Sequence, residues 1–332
     1  MKKQQSQKNS KPLSFAELQV LHGEELSTKI IDRATPSHAL LDEIDRIDVE
    51  STEHRELVVT SRTKAALTGE HGSIDSNVSL TEGHRYASVK SLFGKVYAQT
   101  LITDEIVSDA HIDIKEEFIR LASDDFLNVL VEQLLYGDES RANGIQRLRG
   151  VLDARIDKAS GFSEAFKDDD ERHQDFYKVI KTGSSGSFGA NAAAIKAHFS
   201  AVKKSLPSKY KRNAKWYMNA DTFEELEQVA DSTGQSLLIR WGRPVYGGEE
   251  TFLMLGHPIV IIDQMNPSDA NGTPVMFGDL RAAIKVLDLK GKSSYFTTDK
   301  VTVKGATVAY LDSRYGEIMQ ANDALRVSLQ AA

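Results

Sequence analysis

A long polar segment between two strand-like runs, in the first third of the chain, constrains the fold more than any other feature. The run Leu57-Val58-Val59 favours a strand, and the residues from Tyr86 to Tyr97 favour a second one. The residues between them are polar and include Gly69, Gly72 and Gly83. This pattern predicts two extended arms joined by a flexible tip, an elongated hairpin. Because an isolated hairpin is marginally stable in water, one with so few apolar residues needs another surface on which to lie.

The residues before the hairpin predict a polar terminus followed by a short helix. Residues 1–12 carry four lysines and no acid, without helical or strand periodicity. Two interpretations stay open, a disordered tail or an arm that a partner orders. Ser14 and Glu17 form an S-x-x-E capping box, which predicts a helix reaching about Gly23. No apolar core follows the basic residues, so we do not expect a signal peptide.

The clearest helical pattern runs from about Asp113 to Tyr136. Apolar residues recur there mostly at intervals of three and four, with Asp113 as a candidate N-cap and Gly137 as a candidate C-cap glycine. Two further helices are predicted at about 191–206, and from residue 221 or 222 to 234.

Strands are predicted between and after these helices, at 215–218, 258–262, 283–289 and 301–311. They do not form a regular βαβ series, and no repeat of constant period is visible. The predicted fold class is therefore α+β. A length of 332 residues suffices for about two domains, each with its own core.

The composition excludes several classes of function. The absence of cysteine excludes disulfides, thiolate metal sites and a thiol nucleophile. A net charge of −7 disfavours specific DNA recognition, which usually needs a basic excess. No apolar run approaches the roughly 20 residues that cross a bilayer, so no membrane partner is expected.

Local motifs for catalysis or metal binding fail on inspection. The nine histidines are isolated, and none forms the helical pair that holds zinc. Gly291-Lys292-Ser293 resembles the end of a P-loop, but Val286 replaces its first glycine, so a turn between strands is predicted. In the run 183–189, Ser187 replaces the closing glycine of a nucleophile elbow, and a flexible loop is predicted. Residues 168–171 lack the alternation of a calcium loop and predict a solvated face. We therefore predict no catalytic, cofactor-binding or metal-ligating residue, and no enzyme.

Several segments carry a family resemblance through their order and spacing. The first segments end the long helix and then place a glycine directly before apolar residues. The later segments have the pattern of a strand or a turn. These segments are Leu134–Asp138, Asn143–Ile145, Gly150–Leu152, Trp216–Ala220 with Thr222–Leu238, Leu255–Val260, Phe277–Asp279 and Arg314–Gly316. From about Glu53 onward they resemble the major capsid proteins of tailed bacteriophages. Ala220 stands where this family usually has proline, and the first fifty residues match least.

The resemblance implies a fold and its parts. The fold is expected to be the phage major-capsid-protein fold, with an N-terminal arm, an extended hairpin loop, a peripheral domain with a long spine helix, and an axial domain. The arm is expected at 1–52 and the extended loop at 53–88. The peripheral domain is expected at 89–150 and 300–332, and the axial domain at 151–299.

The resemblance also implies a function. The chain is expected to self-assemble as hexamers and pentamers into the icosahedral shell of a tailed phage virion, in the host bacterial cytoplasm. The shell would enclose double-stranded DNA without sequence-specific binding. No large cleavable scaffolding region precedes the shell fold, so a separate scaffolding protein is expected. A portal and decoration proteins are the further partners that the resemblance implies.

Some members of this family cross-link a hairpin lysine to an asparagine beside a catalytic glutamate. An ungapped alignment places Asp75, Gly305 and Asp312 at these three positions, and Lys64 is the only lysine on the hairpin. Since the nucleophile and the electrophile are both missing, we predict a non-covalent shell.

Three alternatives stay open. An encapsulin, a nanocompartment shell of the same fold, would enclose a cargo enzyme; the long hairpin and the N-terminal arm favour the viral interpretation. An enzyme with a site assembled from distant residues would be a monomer or small oligomer with a concave pocket. An α+β domain of another function is the third.

Overall fold

The computed structural model describes residues 39–61, 85–103, 114–137, 148–152, 178–185, 187–230, 239–242, 251–268, 272–289, 295–299 and 306–331. The chain divides into two compact units. Unit 1 comprises residues 1–36, 95–130 and 290–315, and unit 2 comprises residues 37–94, 131–289 and 316–332.

Six α-helices and fourteen strands lie within the described residues. The helices are α1 (Ala39–Asp42), α2 (Ile114–Tyr136), α3 (Ala192–Ser205), α4 (Ser208–Lys211), α5 (Ala220–Glu227) and α6 (Leu280–Ala283). The strands are β1 (Asp45–Val49), β2 (Arg55–Ser61), β3 (Arg85–Lys90), β4 (Leu92–Thr103), β5 (Lys178–Ser185), β6 (Lys215–Met218), β7 (Ile239–Gly242), β8 (Thr251–Met254), β9 (His257–Ile261), β10 (Val275–Gly278), β11 (Ile284–Leu289), β12 (Tyr295–Asp299), β13 (Ala306–Met319) and β14 (Leu325–Ala331).

Unit 2 is built on a seven-stranded mixed sheet with the order β5-β14-β10-β6-β9-β8-β7. β5 is parallel to β14 and β6 is parallel to β9, whereas the other neighbours are antiparallel. The middle strands are buried on both faces, since Trp216, Tyr217 and Met218 are each at most 1 % exposed. Such strands consist of continuous apolar residues instead of alternating ones, which explains the apolar run in β6.

One face of this sheet packs under α3 and α5. Trp216 stacks on Phe277 with ring centroids 4.2 Å apart, and it meets Phe199 of α3 edge-on at 5.7 Å. Phe223 of α5 meets Phe252 of β8 at 5.0 Å. Together these rings belong to one apolar core. Truncating a buried aromatic side chain of this kind to alanine costs about 3–5 kcal/mol.

A two-residue turn joins β8 to β9. Leu255 and Gly256 both have positive φ, 49° and 84°, as in the hairpin turn that matches the twist of its strands. Leucine is strained in this region of backbone space. The Lys203 ammonium of α3 donates to the Leu255 carbonyl at 2.6 Å, which holds the turn against the sheet.

The end of α2 lies against residues 148–152 in unit 2. The amides of Val151 and Leu152 donate to the carbonyls of Leu134 and Leu135, each at 2.8 Å. These contacts satisfy carbonyls that a helix end leaves without an intrahelical partner. A Cβ on Gly137 would lie 2.3 Å from the Leu148 carbonyl oxygen, so only glycine permits this approach.

Two further strand pairs lie in unit 2. β1 is parallel to β11, and Val49, Leu287, Leu289 and Ile318 form a small apolar cluster there. β2 and β3 form an antiparallel two-stranded ribbon.

Unit 1 packs part of the long helix on strands. Phe126 of α2 is 3 % exposed and shares an apolar cluster with Leu311 of β13, while Val96 and Ala98 of β4 pack beside them. β12 is antiparallel to β13.

The structure confirms most of the predicted elements. α2 and α3 confirm the helices predicted at 113–136 and 191–206, and β6, β9 and β11 confirm the strands at 215–218, 258–262 and 283–289. The strand predicted at 301–311 is described from residue 306 and continues to 319. The paired β2 and β3 confirm the two arms of the hairpin, whose tip lies outside the described residues. The run from Tyr86 to Tyr97 is two strands instead of one, since β3 ends at Lys90 and β4 pairs with β13.

Two predictions are wrong in detail. α5 begins at Ala220 and ends at Glu227 instead of reaching 234, because the Val229 amide donates only three residues back, to Leu226. Residues 183–185 of the predicted loop belong to β5, since they continue the pairing with β14, and Phe188 beyond them is buried.

Gly137 directly follows the last residue of α2, as predicted. It does not adopt a positive φ, and close backbone contact is what requires glycine there.

Other predictions lie outside the described residues. They are the terminus and its short helix at 1–23, the N-cap Asp113, the acidic run 168–171, the turn at 291–293, and Lys64, Asp75 and Gly305.

Candidate assembly surfaces

Among the described residues, no group of three or more His, Asp or Glu side chains could hold a metal ion. No helix in this part of the chain is long and apolar enough to span a membrane. Two surfaces of these residues expose a large apolar or aromatic side chain.

The β2–β3 ribbon is the first such surface. Its register pairs Arg55 with Lys90 and Leu57 with Ser88. The Leu57 side chain is 76 % exposed, the highest value among the exposed large apolar residues described. Two strands alone are marginally stable in water, and this ribbon also exposes a large apolar side chain. Both features favour contact with another surface.

Hydrogen bonds and an ion pair hold the base of the ribbon to the rest of unit 2. The Ser91 amide donates to the His54 carbonyl at 3.0 Å, and the Ser91 hydroxyl donates to the same oxygen at 2.9 Å. The Glu56 carboxylate accepts from the Gln320 amide and lies 3.5 Å from the Lys285 ammonium. The ribbon is thus an extension with a fixed base.

Unit 1 presents a second surface on the outer side of β4 and β13. Tyr97 is 65 % exposed and stacks on Tyr310 with ring centroids 6.0 Å apart. The Lys95 ammonium lies 2.7 Å from Asp312 and 5.5 Å above the Tyr310 ring. The hydrogen bond to Asp312 raises the pKa of Lys95 above its ordinary value, followed by that to Tyr310. Aromatic residues such as Tyr97 are enriched in protein–protein interfaces.

Two histidines in unit 2 are partly buried. Burial lowers the pKa of His198 to about 4, and its Nε2 lies 2.7 Å from the Ser328 hydroxyl. Burial, with a contribution from Lys203, also lowers the pKa of His257, whose Nδ1 lies 3.2 Å from the Ala214 carbonyl oxygen. In both residues burial favours the neutral imidazole.

Buried polar groups of β14 were not anticipated from the sequence. The Arg326 side chain is 4 % exposed and donates to the carbonyls of Asp323, Leu325 and Ser205, the last at the end of α3. Burial lowers its pKa from the ordinary value. No local signal marks this contact, because Ser205 lies far away in sequence.

Comparison with known proteins decides the family. A model of the phage capsid family matches residues 19–327. The chain belongs to the phage capsid family. It is thus a capsid protein with a structural role, as the resemblance implied. A search of curated proteins gives no significant match.

Solved structures of capsids share the fold of this family member. The capsid of a native GTA particle is 19 % identical with a TM-score of 0.73, covering 93 % of this chain and 96 % of the other. Microbacterium phage Oxtober96 is 14 % identical with a TM-score of 0.60, covering 96 % and 100 %. Gordonia phage Cozz is 11 % identical with a TM-score of 0.58, covering 100 % and 98 %. At such identities the likeness establishes the fold, and it confirms the capsid fold predicted from the sequence.

Proposed function

We propose that this phage capsid protein is the major capsid protein of a tailed bacteriophage, arranged as hexamers and pentamers in an icosahedral shell around the genome. The observation that carries the proposal is the β2–β3 ribbon. Among the described residues it pairs with no further strand, and it exposes Leu57. A polar ribbon with a fixed base is a poor independent unit, but a neighbouring copy can cover it.

The parts of the capsid protein follow the same proposal. Residues 1–52 form an arm that reaches a neighbouring copy, and 53–88 form the extended loop that lies over it. Residues 89–150 with 300–332 form the peripheral domain, and 151–299 form the axial domain around which copies gather. The α2 helix, with its buried Phe126 and Leu130, supports a spine role.

The shell is held without covalent cross-links in this proposal. Asp312, aligned with the catalytic glutamate of cross-linking relatives, is bound by Lys95 of its own chain at 2.7 Å. Individually weak contacts between copies are enough to hold the shell, because a closed symmetric shell contains many of them. Mature particles should therefore give single-chain bands on a denaturing gel, and a ladder of covalent oligomers would contradict this part.

The partners and location follow from the capsid role. A separate scaffolding protein, a portal and decoration proteins assist the shell, which assembles in the bacterial cytoplasm and ends in the virion. The enclosed double-stranded DNA is not bound by sequence. We propose no enzymatic activity and no cofactor.

Negative-stain electron microscopy of the expressed chain, with sizing chromatography, tests the proposal. Closed shells or rings of five and six support it. A chain that stays monomeric when the scaffolding protein is supplied refutes it. DNA inside particles formed during infection supports the virion, whereas shells that enclose a cargo enzyme and no DNA identify a nanocompartment.

A further inference from the structure

Positive and negative charges are segregated along the chain. Residues 176–220 contain nine Lys or Arg residues and no Asp or Glu. Since the whole chain has a net charge of −7, the remaining residues carry −16. The segment with the positive excess includes β5, α3, α4 and β6 of unit 2.

Three helices of unit 2 expose these opposite charges. Lys196 and Lys204 of α3 and Lys209 of α4 are exposed, and we call these three residues the basic surface. Asp221, Glu224, Glu225 and Glu227 of α5 are all exposed, and we call them the acidic surface. Within the described residues, none of these four carboxylates forms an ion pair with a Lys, Arg or His side chain.

Helix stabilisation explains only part of this pattern. Lys204 near the end of α3 and Asp221 in the first turn of α5 have the signs that the helix dipole favours. Glu224 and Glu227, however, are like charges at a spacing of three, and α5 holds no cation to offset them. Such repulsion destabilises a helix. Cations from another molecule would relieve it.

The two surfaces lie over different parts of the sheet. α3 and α5 pack on the same face, through Phe199 and Phe223 of one apolar core. α3 contacts β5 and β14 at one end of the strand order, whereas Phe223 packs on Phe252 of β8 near the other end. Each copy therefore presents a basic and an acidic surface at separate places.

We propose that the basic surface of one copy binds the acidic surface of the next copy, head to tail, within a capsid ring. This inference rests on the proposed function and names a surface through which the copies recognise one another. Contacts between unlike surfaces form closed rings when the rotation closes. Charge complementarity fixes the partner and its orientation more than it adds affinity. A second copy suits the basic surface better than DNA, because the rest of the chain is strongly negative and repels phosphate.

Charge reversal in the full-length chain tests the proposal. One variant combines Lys196→Glu, Lys204→Glu and Lys209→Glu, and a second combines Glu224→Lys, Glu225→Lys and Glu227→Lys. Lys203 is left unchanged because it holds the Leu255 turn. We expect each variant alone to lower the yield of rings and shells by at least about tenfold, and the six-fold combination to restore it to within about threefold. Sedimentation and electron microscopy measure the yield.

The control is Asp125→Lys with Glu132→Lys, two exposed acids of α2 outside both surfaces, and it is compared with the matching double reversal Glu224→Lys with Glu227→Lys. The two double variants have the same net charge, and the control should assemble like the wild type. Circular dichroism checks that each variant folds. For a variant that does not fold, Lys→Gln and Glu→Gln changes replace the reversals, and these should make ring formation less sensitive to NaCl between about 0.05 and 0.5 M.

The inference would be overturned if both single-surface variants gave the wild-type yield of rings and shells. It would also be overturned if the combined variant folded but its yield stayed low. A reversed basic surface that assembles normally but retains less DNA would assign the surface to nucleic acid instead. A wild-type chain that never forms rings refutes the proposed function itself, which distinguishes the two failures.

Discussion

Phe93 lies against Gly316 so closely that a Cβ on Gly316 would come within 2.7 Å of two ring carbons. Phe93 also packs against the apolar cluster that includes Val49 and Ile318. The glycine in the Arg314–Gly316 segment, one of the family signatures, is thus required by packing.

We expect Gly316→Ala to lower the free energy of unfolding by about 1–3 kcal/mol, because the added methyl group overpacks the contact. Urea denaturation of unassembled chains measures this loss. In a Phe93→Leu background the methyl group has more room, and the same substitution should cost less. Equal costs in the two backgrounds would show that Phe93 is not what excludes a side chain at 316.

Gly137→Ala should separate the end of α2 from residues 148–152. The new Cβ would lie 2.3 Å from the carbonyl oxygens of both Gln133 and Leu148, so the backbone has to shift to relieve both contacts. We expect a loss of about 1–3 kcal/mol and faster hydrogen exchange at the Val151 and Leu152 amides. Glu132→Ala, at an exposed position of the same helix, should stay within about 0.5 kcal/mol of the wild type. Unchanged exchange in Gly137→Ala would refute the contact.

The stability of unit 2 should fall with acid between pH 6.5 and 4. Burial lowers the pKa of His198 from 6.5 to about 4, so over this range the unfolded chain binds a proton that the folded chain refuses. Above pH 6.5 this histidine contributes no pH dependence. Below it the loss is about 1.4 kcal/mol per pH unit. Urea midpoints across this range should show a smaller slope for His198→Gln, and an identical slope would exclude His198 as the cause.

Glu56→Ala should loosen the base of the β2–β3 ribbon. It removes the carboxylate that accepts from Gln320 and pairs with Lys285. The Glu56 and Lys285 side chains of this ion pair are each about one-fifth exposed. We expect faster hydrogen exchange in β2 and β3, with a global loss of no more than about 1 kcal/mol, since a partly exposed pair contributes little. Glu53→Ala, at an exposed position just before the ribbon, is the control. Unaltered exchange in Glu56→Ala would show that Ser91 alone fixes the base.

Much of the fold could be predicted where the signal is local. The α3 helix has its N-cap Asn191, whose side chain accepts from the Ala194 amide, and it stops before Pro207. β6 and β9 were predicted because a strand in the middle of a sheet consists of consecutive apolar residues.

The strand β14 was missed because its partners are distant in sequence. Arg326, Ser328 and Gln330 alternate with apolar residues, as in a strand with one side in water, yet all three are buried. The Ser328 hydroxyl contacts the His198 ring, and the Gln330 side-chain amide donates to the Ser268 hydroxyl. No short-range pattern contains this information. The basic and acidic surfaces were missed for a related reason, since only the fold shows that α3 and α5 share one face.

The position of β14 sets the order in which unit 2 can be completed. β14 lies between β5 and β10, and β5 sits at the sheet edge with β14 as its neighbour. A ribosome must therefore translate residues 325–331 before β5 gains its place, although β5 itself emerges about 140 residues earlier. The strands β6 to β10 are synthesised in between, so the other strands of this sheet precede the one that gives β5 its neighbour.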